Sequence, residues 1–495
     1  MVKFEYSGES DQAIDLAFNK ARANDRKEWL LQHDPATIIV PRADKKLSYD
    51  EFIHKDLIHF SYYNLERSIP SAMDGLKTSQ RKILYAAFKR KLTTEIRVAQ
   101  FAGYVSEHTG YHHGEASLNE TIIGMSQTFV GSNNVNWFVP EGQFGTRLEG
   151  GKDSASPRYI HTYLCPHTQC LVPAKDFPVL EYRDDDGMPV EPVHYLPILP
   201  MILVNGARGI GTGFSTFVPQ FNPDVMVDLI EGWLDTKMDA IIETAKIVPW
   251  TRGFKGTVLP DGKGDYIVRG VWSYAKKVVK IRELPIGTWT SEYKAMLTVL
   301  EEEGKIIKEF TDMSTDQDVH FDVTLVEEMS TEAMIKALGL EVKIKLSNMH
   351  LFNAEGVIQK YASPNEILME YVRERLALYV KRREFEIADI KTRLPYHENV
   401  VRFVKMQTQV PGPLPNLHRK TRAECDILLA ETDFVKIDDS FEYLMRLPVS
   451  SFTSETIAKH ETDLAKLRQQ LYSMEQTTPE VLWQQDLRMW KESKV

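Results

Sequence analysis

Cysteine is scarce. Cys165, Cys170 and Cys425 are the only three in 495 residues, which excludes a disulfide framework and fits an intracellular protein. Long apolar runs are missing as well. The most apolar stretch, Tyr195 to Val204, is broken by Pro197 and Pro200 and falls short of the roughly 20 residues a membrane helix needs. The opening MVKFEYSGESDQ holds no apolar signal segment. With 43% hydrophobic and 26% charged residues, the composition excludes wholesale disorder and collagen-like repeats. The length suggests about two to four domains.

An excess of positive charge is also lacking. The formal net charge is −10, which taken whole argues against a phosphate-binding protein. The distribution points the other way. Lys77, Arg81, Lys82, Lys89, Arg90, Lys91 and Arg97 face Glu95 alone within one short stretch, so a local basic patch can sit on an acidic whole. A solvated helix face would give the same run. In SQRKILYAAFKRK the spacing of Ile83, Leu84, Ala87 and Phe88 predicts an amphipathic helix with the basic residues outward.

Upstream, the first 45 residues read as a polar arm with a short extended run from Thr37 to Pro41. A helical pattern starts near Ser48, with Phe52, Ile53, Leu57, Ile58 and Phe60 spaced for one buried face. Two more helices are expected, about Arg97 to Glu107 and Ser117 to Phe129, around the tight turn Gly110-Tyr-His-His-Gly114. That is a helix-turn-helix layout. Gly142 to Pro157 reads as loop, and Leu196 to Leu346 alternates short β-rich runs with helices. After Pro364, Leu368, Val372, Leu376, Tyr379, Ile387, Ile390 and Leu394 recur at spacings of three and four, with one gap at Arg383. Ile457, Leu464, Leu467, Leu471 and Met474 do the same around His460. Two such helices far apart in sequence suit either an antiparallel coiled-coil stalk with a globule at its tip, or an ordinary helical bundle.

Several chemistries lack their motifs. GGKDS (Gly150 to Ser154) is no P-loop, and the glycines from Gly206 to Gly213 are not spaced as a dinucleotide loop. His161, Cys165, His167 and Cys170 match no common zinc spacing, and Asp184 to Gly187 lacks the further ligands of a calcium loop. Two segments carry more. Paired histidines, His112 and His113, at a helix N-terminus can bind a phosphate. Arg158-Tyr159, in a polar loop, offers a hydroxyl nucleophile beside a fixed cation, as phosphoryl transfer requires.

Taken together, ERSIPSAMDGLKTSQRKIL (Glu66 to Leu84), AGYVSEHTGYHHGEASL (Ala102 to Leu118), FVGSNN (Phe129 to Asn134), GQFGTRLEGGKDSASPRYI (Gly142 to Ile160) and YLPILPMILVNGARGIGTGFST (Tyr195 to Thr216) resemble the breakage-reunion part of type IIA DNA topoisomerases. The likeness is to the eukaryotic type more than to gyrase A. It implies an α+β multidomain fold: an N-terminal arm similar to the tail of a metal-binding TOPRIM domain (1–45), a winged-helix domain with the nucleophile (46–195), an α/β tower (196–362), and a long antiparallel coiled coil bearing a helical C-gate globule (363–495).

By position, Tyr159 resembles the nucleophile that becomes joined to a DNA 5′ end, with Arg158, Arg67 and His113 as the groups around the reacting phosphate. His112, Lys77, Arg81, Lys82, Gln143 and Lys152 are expected to contact DNA, and Ile210 to wedge between base pairs. Arg208 stands where the family usually has Glu, Thr78-Ser79 where it has Pro-Gly, and Phe214 where it has Trp. The resemblance implies Mg²⁺ and ATP held mainly by partner subunits, or missing domains, of TOPRIM and ATPase type, a homodimer through the C-gate, and no metal ligands in this chain. It also implies a place with DNA: nucleoid, nucleus, or a viral replication site, including the cytoplasm of an infected host. The chain is then expected to be one subunit of a split enzyme, viral or phage-type, with an excised fragment of a longer enzyme as the other possibility. A non-cleaving architectural protein and a metal-independent tyrosine nickase or recombinase are the alternatives.

Overall fold

The computed structural model describes residues 2–40, 44–408, 417 and 420–493. They fall into two compact units. One comprises Met1–Ala174, Leu180–Arg375 and Asp486–Val495, the other Lys175–Val179 and Leu376–Gln485.

In the larger unit the first 45 residues are no arm. The strand Lys3–Glu5 pairs in parallel with Lys46–Ser48. Ala13 on the helix Ser10–Phe18, and Trp29 and Leu30 on Ala23–Leu31, share a core with Ile53, Ile58, Leu65 and Phe214. Their partners lie beyond residue 45, so no domain boundary falls there. Thr37–Val40 forms no strand, the Thr37 carbonyl being taken by His59 Nε2 at 2.6 Å; Pro41 lies outside the described residues. From Tyr49 the chain is helical to Ser68, with a π turn over Ile53–Leu57. Ser48 caps it by accepting from the Glu51 N–H at 3.0 Å.

Three helices follow, Thr78–Arg90, Val98–Thr109 and Glu115–Ser126. They pack on one another and on a small sheet ordered Ile96–Arg97, His161–Leu164, Phe138–Glu141. Leu84, Phe101, Ile122 and Phe138 are buried there. The acidic run Asp184 to Gly187 is a hairpin turn: Asp186 and Gly187 both have positive φ, as a two-residue loop of this kind demands.

The β-rich region builds a three-stranded sheet (Thr257–Pro260, Tyr266–Arg269, Glu341–Ile344) and a four-stranded one ordered Val271–Ala275, Val278–Glu283, Phe321–Leu325, Ile307–Asp312. All their pairings are antiparallel. Val279, Ile281, Phe321 and Val323 pack with Tyr293 and Leu297 of the helix Thr290–Glu303.

In the smaller unit, part of the helix Pro364–Thr408 runs antiparallel to Ser454–Gln476. Cross-links fix the direction. Lys391 pairs with Glu475 at 2.9 Å, Glu398 with Arg468 at 2.6 Å, and Lys405 with Glu461, so residue numbers rise on one helix as they fall on the other. Val400, Phe403 and Val404, near the end of the first of these helices, form a separate core with Cys425, Leu429, Phe434 and Phe441 from the segment that follows it. The residues expected to close the globule between 409–416 and at 418–419 lie outside those described. The unit excludes Pro364–Arg375 and Asp486–Val495, which belong to the larger one, so the expected segment 363–495 is not a single body.

Candidate DNA-cleavage site

Arg158 and Tyr159 owe their position to backbone on either side. Pro157 and Ile160 carbonyls accept from the N–H groups of Ala99 and Val98, both at 3.1 Å. These are donors of a helix's first turn, which have no partner within the helix. Ile160 is buried, whereas Tyr159 keeps 78% of its surface exposed. The turn is thus pinned to a helix start with its phenol outward. The loop before it is equally built. Asp153 accepts from Thr146 N at 2.8 Å and Thr146 Oγ1 at 2.5 Å. Gln127 Nε2 reaches the Phe144 carbonyl at 2.9 Å, and buried Arg147 pairs with buried Glu283 of the four-stranded sheet. Arg147 escaped the sequence reading; its signal was a cation among the glycines of the loop, away from the Arg158-Tyr159 pair.

A second cluster gathers elsewhere on the same unit. Arg67, Lys82, His112 and His113 line one shallow pit with Tyr63, Thr78 and Ser79. Lys82 Nζ is held by Glu191 at 2.8 Å and by the Thr109 carbonyl at 2.5 Å. Burial, and then the charges of Arg67, His112 and Lys82, hold the His113 imidazole below its ordinary pKa. Among the described residues no hydrogen bond, ion pair or ring contact joins Arg158 or Tyr159 to this pit.

Not every expected contact residue faces outward. Arg81 is 4% exposed, and its guanidinium forks onto Asp74 at 2.7 and 3.0 Å while donating to the Leu76 carbonyl at 2.9 Å. It serves the core, which corrects the expectation of a phosphate contact. Lys77 is half-buried and donates to the Arg208 carbonyl at 2.9 Å; burial lowers its pKa. Gln143 and Lys152 are exposed on the loop, Lys152 within 3.7 Å of Glu292.

Ile210 ends the strand Ala207–Ile210, hairpinned to Ser215–Val218, and is 81% exposed. The neighbouring glycines allow close packing within the protein. A Cβ on Gly209 would lie 2.0 Å from the Ser68 carbonyl oxygen, and one on Gly211 would lie 2.9 Å from Leu65. They let the hairpin seat on the helix that carries Arg67. Thr212 fastens the tip to Asn64 Oδ1 through its N–H at 3.0 Å and its hydroxyl at 3.1 Å.

The family model for the A-type chain of DNA gyrase/topoisomerase IV matches residues 67–488. The chain belongs to this topoisomerase family. A model of the C-terminal associated domain of TOPRIM matches residues 1–65, which agrees with the packing of the N-terminal segment against the helix ending at Ser68. Among curated relatives, DNA topoisomerase 2, mitochondrial, of Dictyostelium discoideum is 38% identical across 99% of this chain and 39% of its own length. DNA topoisomerase 2 of Arabidopsis thaliana is 37% identical across 98% and 36%. These eukaryotic relatives agree with the eukaryotic type of the motifs. The chain spans under two-fifths of their length. A crystal structure of the Plasmodium falciparum topoisomerase II DNA-binding, cleavage and re-ligation domain superposes with a TM-score of 0.87 at 34% identity, over 99% of this chain and 70% of that one.

Among the described residues no three His, Cys, Asp or Glu side chains gather as a metal site requires. The described residues therefore do not by themselves fit the Mg²⁺ that the family implies. Nor, among the described residues, is any helix long and apolar enough to cross a membrane.

Proposed function

We propose that this chain is the cleavage-religation part of a type IIA DNA topoisomerase, opening a duplex transiently so that another can pass. The observation that carries the reading is the outward Tyr159 beside Arg158 on a turn locked to a helix start. The Tyr159 hydroxyl attacks a backbone phosphorus, an O–P bond forms, the bond to the 3′ oxygen breaks, and that oxygen leaves as a hydroxyl once protonated. The reverse step reseals the strand. A phenol is a weak nucleophile until a base takes its proton, and the phosphate gains charge that Arg158 is placed to balance. Arg67, His112 and His113 supply further donors for backbone phosphate. Two strands need two tyrosines, so the working unit is a two-fold dimer, closed through the globule of the smaller unit. Carboxylates for Mg²⁺, and ATP hydrolysis, come from TOPRIM and ATPase domains outside this chain.

The test is partner dependence. Incubated with Mg²⁺, a duplex and a subunit carrying a TOPRIM domain, then denatured with detergent, the chain should be trapped on DNA 5′ ends. Alone it should bind the duplex and leave it intact. Trapping without the partner would indicate a self-sufficient nickase; binding with no trapping under any condition would indicate an architectural protein.

Ile210 is the wedge in this reading. Inserting it into a base step costs a few kcal/mol of unstacking, offset by contacts along the bent arms. Ile210→Ala should reduce DNA bending, read by fluorescence transfer across a short duplex, and reduce cleavage with it. Its exposure limits the stability change to about 0.5 kcal/mol. Normal bending, or a large fall in melting temperature, would remove the assignment.

A further inference from the structure

Tyr63 lies one helical turn before Arg67 on the helix Ile58–Ser68, and no motif drew attention to it. Its hydroxyl lies 2.5 Å from His113 Nε2, with ring centroids 5.9 Å apart and planes 30° from parallel. The Arg67 guanidinium stands over the Tyr63 ring at 5.9 Å. On its other side His113 meets the Tyr111 ring edge-on at 5.3 Å. The imidazole is thus fixed by one hydrogen bond and two aromatic rings before any DNA arrives.

Donor and acceptor follow from the surroundings. Three groups bring positive charge or its capacity to His113: Arg67 from the Tyr63 helix, Lys82 from the helix Thr78–Arg90, and His112 beside it. The carboxylates nearby are engaged or displaced: Glu191 holds Lys82, and Asp185 on the adjacent hairpin lies against Gly110. A second proton on His113 is therefore disfavoured, so Nε2 keeps its lone pair and accepts from the phenol. We propose that Tyr63 is a positioning residue for His113, its O–H···Nε2 bond placing the imidazole proton on Nδ1 and holding the ring neutral until phosphate binds. A phosphate oxygen can only accept: it takes the Nδ1–H as it stands, or it displaces the phenol from Nε2 once a proton sits there, by tautomer exchange or by uptake from solvent, so DNA binding at this histidine is coupled to its tautomer and charge. The inference rests on the proposed cleavage function only for that last coupling.

The experiment is nitrogen NMR of the histidine-labelled full chain, with His113 assigned by His113→Gln. Tyr63→Phe keeps the ring beneath Arg67 and removes only the hydroxyl. The wild-type chain should show Nδ1–H with Nε2 as acceptor. In Tyr63→Phe that bias should vanish and the His113 titration midpoint should rise by roughly half a pH unit to one, the size of one net hydrogen bond, with the melting curve unchanged. Tyr63→Gln, whose amide can donate, should restore part of the bias. Identical tautomer signals and midpoints in wild type and Tyr63→Phe would overturn the proposal. A short duplex is then added. If the His113 nitrogens ignore it while the Tyr63→Phe difference stands, the phosphate role fails and the positioning bond survives.

Discussion

Tyr159→Phe is expected to abolish covalent capture of DNA while leaving the fold and DNA binding nearly unchanged. The substituted ring has no oxygen to bond to phosphorus. Ser156, exposed in the same turn, carries the nearest other hydroxyl, and its carbonyl accepts the Tyr159 N–H at 2.9 Å; Ser156→Ala is therefore the control, expected to leave capture intact. With 78% of Tyr159 exposed, the stability change should stay within about 0.5 kcal/mol. Arg158→Ala should behave differently. Losing one preorganised cation beside the developing charge costs about 10²- to 10³-fold in rate, leaving slow but measurable capture. The measurement is detergent trapping on duplexes labelled at one 5′ or one 3′ end, in the reconstituted complex. Adducts that persist in Tyr159→Phe would remove the nucleophile assignment.

The turn that carries Arg158 and Tyr159 was legible because it is local: the two residues are adjacent, and the glycines that shape their loop stand in the same segment. The stalk was legible for a related reason. Spacings of three and four put Tyr379, Ile390 and Leu467 on covered faces, and ion pairs between helices then show the direction. Basic residues were read less well. Counting seven cations as one patch ignores what each side chain meets across the fold. Glu191, which holds Lys82, is 109 residues away, and the Arg208 carbonyl that takes Lys77 is 131 away. Such partners leave no mark in the periodicity of a single helix. The N-terminal segment was misjudged as an arm because the core its apolar residues join is completed by residues beyond position 45. Ala13, Trp29 and Leu30 acquire a core only when Ile53, Leu65 and Phe214 are brought to them. Tyr63 had a signal that went unused, its spacing of four from Arg67.

Asp74→Ala should be the most destabilising single change among the residues considered. Asp74 is fully buried and accepts four hydrogen bonds: two from Arg81, one from Leu76 N at 2.9 Å and one from Tyr195 N at 3.0 Å. Removing it strands a guanidinium in the interior, where an uncompensated charge costs about 3–5 kcal/mol, and leaves two backbone donors without that acceptor. Replacing both partners, Asp74→Ala with Arg81→Met, should recover part of the loss, since the stranded charge goes too; a thermal-denaturation cycle over the four proteins measures the coupling. The same cycle decides what Arg81 does. A side chain that neutralises a phosphate contributes about 0.9 to the slope of log affinity against log salt. Arg67→Ala, from the open pit, should lower that slope by about this amount. Arg81→Met should lower the melting temperature and leave the slope alone, because its charge is spent on Asp74. A slope that falls with Arg81 while stability holds would return Arg81 to the DNA-facing surface, and with it the reading of the basic helix as one continuous patch.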